Sequence, residues 1–162
     1  MPNWCDNYLE LTGPRDKVKA ITDAATSAEM GNGMFQHIAP LDNDVGVFGA
    51  AEEWGTKWDV NDAELIDYED FDDDDVKVTM AFSTAWAPPI SIYERLENDG
   101  LSVFAAYYEP GMMFCGTFDE GVISEYDLDD DEIIESFDTV EDLKIIDDLY
   151  GVRDMLEELD DE

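Results

Sequence analysis

Trp54, Lys57 and Trp58 fall within five residues of one another, and Trp86 follows a second short segment beside Pro88-Pro89. Indoles bury large areas while each N–H needs a partner, so with Trp4 this group could line a concave aromatic site for a base or a peptide side chain. Lys57 is the sole cation between Lys19 and Lys77, so a small anionic ligand would engage it. The competing reading has the tryptophans lock a long loop onto a sheet, with Lys57 neutralising Asp59 or a buried carboxylate. Glu109, beside Pro110-Gly111, sits where a strand enters a tight turn and could pair with Asp59 or Glu53 for acid–base work. Among 43 acidic residues such a pair arises easily by chance. No nucleophile–base pairing, phosphate loop or metal cluster accompanies it, so the sequence predicts a binding protein, with no catalytic residue and no enzyme activity.

Metal and cofactor chemistry find little footing. Asp127, Asp129 and Asp131 fall at positions one, three and five of a calcium hand, with Ile134 at eight and Asp138 at twelve. Glu132 replaces the glycine required at six, however, and a strand precedes the run where a helix should stand. Cys5 and Cys115 form no CxxC pair and His37 is the one histidine, so zinc and a histidine-based triad both lack groups. Two buried free thiols are expected, with no metal and no cofactor.

The acid load is the dominant feature. Forty-three Asp and Glu against 8 Lys and Arg give a net charge of −35, yet 44% of residues are apolar and 12% aromatic, unlike a disordered acidic tail. Residues 1–60 hold 10 acids and 4 bases; residues 61–162 hold 33 acids and 4 bases. Such a surface repels phosphates and anionic lipid, so direct nucleic-acid or membrane binding is excluded. It suits a basic partner, most simply a nucleic-acid-binding host protein whose groove the carboxylates occupy as a DNA or RNA mimic. The residues expected to carry this face are Asp72, Asp73, Asp74 and Asp75, then Asp129, Asp130 and Asp131, then Asp147, Asp148, Asp154, Glu157 and Glu158. The alternative is a salt-adapted module that binds a small ligand or peptide through the Trp54–Trp58 loop, with Trp54, Lys57, Trp58, Trp86 and Glu109 as its ligand-binding residues. A third course pairs two copies through an apolar stripe of Leu143, Ile146 and Leu149.

These side chains need elements to hold them. Asn7, Leu9 and Leu11 alternate with Tyr8, Glu10 and Thr12, predicting a strand that ends at Gly13-Pro14. Val18, Ile21, Ala25 and Ala28 recur at helical spacing, with Gly31-Asn32-Gly33 as the break. Residues 34–59 read as a long ordered loop with one short strand near Phe35–Ile38. Strands follow at 63–68 and 77–83, a helix after Pro88-Pro89 containing Ile92, Tyr93 and Leu96, a strand at 103–108, and a hairpin over 112–118 and 122–128. Thr139 is placed to cap a last helix, which Gly151 interrupts. That order predicts an α+β, ferredoxin-like antiparallel sheet with helices on one face, in a domain of residues 1–128, followed by an acidic helical extension over 129–162. No basic-plus-apolar leader or spanning segment is evident, which predicts a soluble protein in the cytoplasm of the host cell.

Four ordered motifs bear on family. The opening Met1-Pro2-Asn3-Trp4-Cys5-Asp6-Asn7-Tyr8-Leu9, then Glu53-Trp54-Gly55-Thr56-Lys57-Trp58-Asp59, Phe82-Ser83-Thr84-Ala85-Trp86-Ala87-Pro88-Pro89, and Tyr107-Tyr108-Glu109-Pro110-Gly111 before Phe114-Cys115-Gly116 resemble the YubB-type, Api-like ferredoxin-fold family of phage and plasmid proteins. The resemblance covers about residues 1–120. It implies the ferredoxin-like fold and a mobile-element context, in which blocking host defence would be of use, and it implies no reaction and no catalytic residues.

Overall fold

The computed structural model describes residues 3–27, 33–42 and 46–160. Ala28, Gly31 and Asn32 from the first predicted helix and its break, and Asp161 and Glu162 from the acidic tail, lie outside the described residues. The chain runs β1 (Trp4–Pro14), α1 (Arg15–Thr26), α2 (Met34–Ile38), α3 (Gly46–Trp54), β2 (Glu64–Asp70), β3 (Asp75–Ala85), α4 (Ile90–Asn98), β4 (Ser102–Glu109), β5 (Phe114–Asp119), β6 (Val122–Asp127), α5 (Ile133–Ser136), α6 (Glu141–Tyr150) and α7 (Val152–Asp160). All five strand pairings are antiparallel, in the order β2-β3-β1-β4-β5-β6. The first four strands with α1 and α4 make the ferredoxin-like unit, and the β5–β6 hairpin widens its sheet on the β4 edge.

Alternation decides which side chains turn inward. Leu9 stands opposite Met80 and Ala105, and Leu11 opposite Val78 and Val103, all fully or nearly fully buried. Onto this face α1 lays Val18, Ile21 and Ala25, and α4 lays Ile92, Tyr93 and Leu96. Each large side chain so removed from water contributes about 1.5–3 kcal/mol. Asn7 is buried in the same layer but satisfied: its Nδ2 donates to the Cys5 carbonyl at 3.0 Å and to Thr84 Oγ1 at 2.9 Å, and its Oδ1 accepts from the Tyr93 hydroxyl at 3.3 Å.

The helices of the domain, α1 to α4, lie on one face as expected, and the C-terminal extension covers the opposite face over β4 and β5. There Ala106, Tyr108 and Cys115 form a second core with Leu128, Ile133, Phe137, Leu143, Ile146, Val152 and Leu156. The reason lies in composition: β4 turns Ala106 and Tyr108 and β5 turns Cys115 to that side, and the extension supplies the apolar stripe that buries them. The stripe considered for pairing two copies is covered by the chain itself: Leu143 and Ile146 are fully buried against its own sheet, leaving Leu149 alone of the three exposed. Gly151, at φ 64, closes α6 in the left-handed conformation that glycine accepts at low cost, and α7 begins directly after it. Val140, not Thr139, is the N-cap residue of α6.

The long loop is also corrected. Residues 34–38 form a helix in place of the predicted strand, and 46–54 form another. Met34, Phe35 and Ile38 are all buried, so the segment closes the first core instead of wandering over it. No helix among the described residues is long and apolar enough to cross a membrane.

Candidate functional site

On the second face, β1 and β3 carry a polar area beside the apolar patch of Ala106, Tyr108 and Cys115. Asp6 stands opposite Ser83, Tyr8 opposite Ala81, and Glu10 opposite Thr79. In β2 the register slips between Leu65 and Asp67, so Ile66 is an extra, bulged residue. Glu64 therefore pairs with Ala81, Asp67 with Thr79 and Glu69 with Lys77. Those three β3 residues alternate on one side, so the bulge brings Glu64, Asp67 and Glu69 onto the same face as Asp6 and Glu10. The row repeats every second residue of β3, about 6.8 Å. Lys77 is the one cation on these strands and lies 3.7 Å from Glu10. Asp6 Oδ1 accepts from the Ser83 hydroxyl at 3.1 Å.

Two adjoining clefts open on this acidic face. One, of about 380 Å³, is lined by Asp6, Asp62, Glu64, Ser83 and Tyr150 among others. The other, of about 360 Å³, shares Asp62 and Ser83 and adds Trp4, Trp58 and Thr84. The Tyr150 hydroxyl is buried with no hydrogen-bond partner among the described residues. Burial first and the Asp6 charge second hold that phenol well above its ordinary pKa, so it stays a neutral donor.

Trp4 and Trp58 meet with ring centroids 5.9 Å apart. Lys57 Nζ lies 4.6 Å from the centre of the Trp58 ring and 5.7 Å from that of Trp86. The lysine expected to neutralise Asp59 is thus held by aromatic faces. Trp4, Trp58 and Trp86 are each more than 40% exposed. Trp86 also adopts φ 72, a conformation that a bulky residue occupies only under constraint from its surroundings.

Trp54 and Glu109 leave the candidate ligand set. Trp54 is buried and its indole N–H donates to the Ala39 carbonyl at 2.9 Å, which is the locking role. Glu109 is fully buried and accepts from the Gly111 and Met112 N–H groups at 2.9 and 2.6 Å, shaping the turn. Asp59, its proposed acid–base partner, is consumed in accepting four backbone N–H groups.

The expected acidic residues separate into two groups. Asp72–Asp75 form the β2–β3 turn, where Asp72 Oδ1 accepts from the N–H groups of Asp74 and Asp75, holding its carboxyl below the usual range. This turn continues the carboxylate row of β2, and Asp148 borders the same face beside Tyr8 and Glu10. Asp129, Asp130 and Asp131 instead follow β6, at the diagonally opposite corner of the sheet, where a cleft joins them to Leu159 and Asp160 of α7. Asp127 and Asp130 there accept from the N–H groups of Asp129 and Glu132, as turn-forming aspartates do. Among the described residues no group of three or more His, Cys, Asp or Glu side chains is arranged to hold a metal ion. Asp147 Oδ1 accepts from the Arg153 N–H at 2.9 Å and acts as a cap for α7, while Glu157 pairs with Arg153 at 3.2 Å. Asp154 and Glu158 are exposed on α7.

No family model matches the chain, and no curated protein does. Among solved structures, it is similar in fold to the crystal structure of protein api92 from Yersinia pseudotuberculosis, assigned to family model DUF1281. The TM-score is 0.50 at 12% identity, over 78% of this chain and 98% of the other. At that identity the likeness concerns architecture alone. The α+β, ferredoxin-like reading stands, with a fold shared with an api92 protein.

Sequence reasoning missed Glu64, Asp67, Glu69, Asp6 and Glu10 as a group. Strict alternation from Glu64 sets Asp67 and Glu69 on the other side of the strand, and only the bulge reverses that. The signal available was the acid content of the 64–70 segment.

Proposed function

We propose that this protein is a non-catalytic acidic module that captures a basic, nucleic-acid-binding partner, its carboxylates standing in for phosphates. The observation that carries the reading is the row of Glu64, Asp67 and Glu69 beside Asp6 and Glu10 on one face of the sheet, with α6 bordering it at Asp148 and Tyr150. Like charges gathered this closely repel one another and lower stability, and a partner that neutralises them recovers that energy. The row's repeat of about 6.8 Å sets successive carboxylates close enough together for neighbouring cations of one basic surface to meet them. Among the described residues the ion pairs engage Glu10, Asp23, Asp70, Asp99, Asp138 and Glu157, which leaves the rest of the row to an external cation source. Membership of the YubB-type, Api-like family, and with it a role against a host defence protein, is the biological setting that fits this chemistry.

The test is displacement. With labelled duplex bound to each of a panel of purified host DNA- and RNA-binding proteins, the protein releases the duplex from its partner at low salt, and the Glu64→Gln, Asp67→Asn, Glu69→Gln triple variant does not. A panel that is never displaced at any salt concentration removes the reading.

A second reading is favoured by Trp86, whose φ of 72 is maintained at an exposed position beside Lys57 and Trp58. Constraint of that kind suits a preformed aromatic cleft for a small ligand or peptide side chain, in a domain whose acids serve high-salt hydration. Its signature is saturable quenching of tryptophan fluorescence by a planar uncharged aromatic ligand, lost in Trp58→Ala and unaffected by molar salt.

A further inference from the structure

We propose that β2 is a docking edge, onto which an extended basic segment of the partner adds as a seventh strand. The inference rests on the basic partner of the preceding reading and specifies how it is held. An edge strand presents unpaired backbone N–H and C=O groups, and folded proteins shield such edges with charged residues, bulges, proline or a covering element; the shield on β2 is its acids and its bulge, which repel an acidic strand and attract a basic one. β2 ends the strand order, contains neither lysine, arginine nor proline, and is exposed at all seven positions.

Its side chains define the occupant. Leu65 and Tyr68 face the α1 side of the sheet, opposite Met80 and Val78, yet are 46% and 48% exposed; Phe71, just beyond the strand, is 65% exposed. Glu64, Asp67 and Glu69 occupy the other side. A segment alternating Lys or Arg with β-branched or aromatic residues meets both rows at once: cations beside the carboxylates, apolar groups over Leu65 and Tyr68. A second copy is the wrong partner, because two β2 edges would set carboxylate rows side by side between chains of net charge −35. The bulge at Ile66 leaves 67–70 as the regular stretch, so pairing centres there. β6, the other edge, is less suited: it holds two acids, and its Tyr126 hydroxyl is engaged with Asp142 at 3.1 Å.

The experiment measures hydrogen exchange at residues 64–70 of the whole chain against three synthetic peptides: Lys alternating with Val, Lys alternating with Gly, and Glu alternating with Val. The Lys–Val peptide slows exchange of the β2 amides and binds about tenfold more tightly than Lys–Gly at low salt, whereas Glu–Val has no effect. Tyr68→Ser weakens Lys–Val binding and leaves Lys–Gly binding unchanged, and the Glu64→Gln, Asp67→Asn, Glu69→Gln variant weakens both. Equal binding of the two lysine peptides without β2 protection overturns the docking edge and leaves acidic capture standing. Absence of binding by either overturns both. Protection of β2 that grows with protein concentration alone assigns the edge to a second copy and overturns the proposal.

Discussion

The Asp59 carboxylate accepts the backbone N–H of Phe35 at 2.7 Å, tying the end of the tryptophan loop to the first turn of α2. The same carboxylate accepts from Gly33 at 3.0 Å, Gln36 at 3.1 Å and Val60 at 2.7 Å. One side chain therefore satisfies N–H groups that a five-residue helix cannot satisfy itself. Asp59→Ala is expected to cost about 1–3 kcal/mol, the range for leaving partly buried donors unpaired, with Asp59→Asn recovering part of it. Urea unfolding followed by tryptophan fluorescence reads this as a lower midpoint at unchanged slope.

Asp147 and Asp154 separate structure from surface on the C-terminal helices. Asp147 caps α7 through Arg153 N–H, so Asp147→Ala is expected to lower stability by about 1 kcal/mol. Asp154 is exposed, and Asp154→Asn is expected to leave the unfolding midpoint unchanged. Equal thermal shifts for both variants would remove the capping role.

Alkaline pH should unfold the protein in a window set by its buried acids. Burial first, and the Glu125 charge second, push the Cys115 thiol up from 9.0 to about 12. Burial likewise raises Tyr8 from 10.0 to about 12, and raises Tyr93 and Cys5. A group whose pKa is higher when folded holds its proton more tightly in the native state. Its stabilisation is complete below the ordinary pKa and declines as pH rises through the folded value. The stabilisation that these groups supply is therefore constant below about pH 9 and is lost from there toward pH 12. Both thiols are free and buried, so a thiol reagent at pH 8 reacts at the rate of protein opening, and immediate modification of either cysteine contradicts the structure.

Salt should stabilise the fold. A net charge of −35 on 162 residues repels itself, and the Debye length shortens from about 10 Å at 0.1 M to about 3 Å at 1 M. The melting temperature is expected to climb over that range in wild type, and to climb less in the Glu64→Gln, Asp67→Asn, Glu69→Gln variant, whose repulsion is already reduced. An identical salt response in the two proteins would show that the row carries no special share of the repulsion.

Gly116 marks a place where only a hydrogen fits. A Cβ there would lie 2.5 Å from both the Ser124 carbonyl oxygen and the Tyr107 hydroxyl, which bonds to Glu125 at 3.0 Å. Gly116→Ala is expected to displace Tyr107 and to destabilise by about 1–3 kcal/mol. Circular dichroism during thermal unfolding measures this directly.

Local pattern was enough for the βαββαβ order, for the inward turn of Asn7, Leu9 and Leu11, and for the apolar stripes of α1, α4 and α6, because period two and period three to four are written in neighbouring residues. The acid excess was equally plain, whereas Lys57, expected to neutralise a carboxylate, lies on the Trp58 and Trp86 rings, a contact that folding alone brings about. The helix at 34–38 was not, since it is stabilised by Asp59 more than twenty residues away. Nor could the stripe of Leu143 and Ile146 announce whether a second copy or its own sheet would cover it; the apolar patch of Ala106, Tyr108 and Cys115 settled that. The candidate site depended most on tertiary pairing. A bulge at Ile66 exists only against β3, and without that partner nothing sets Glu64 on the same side as Asp67 and Glu69.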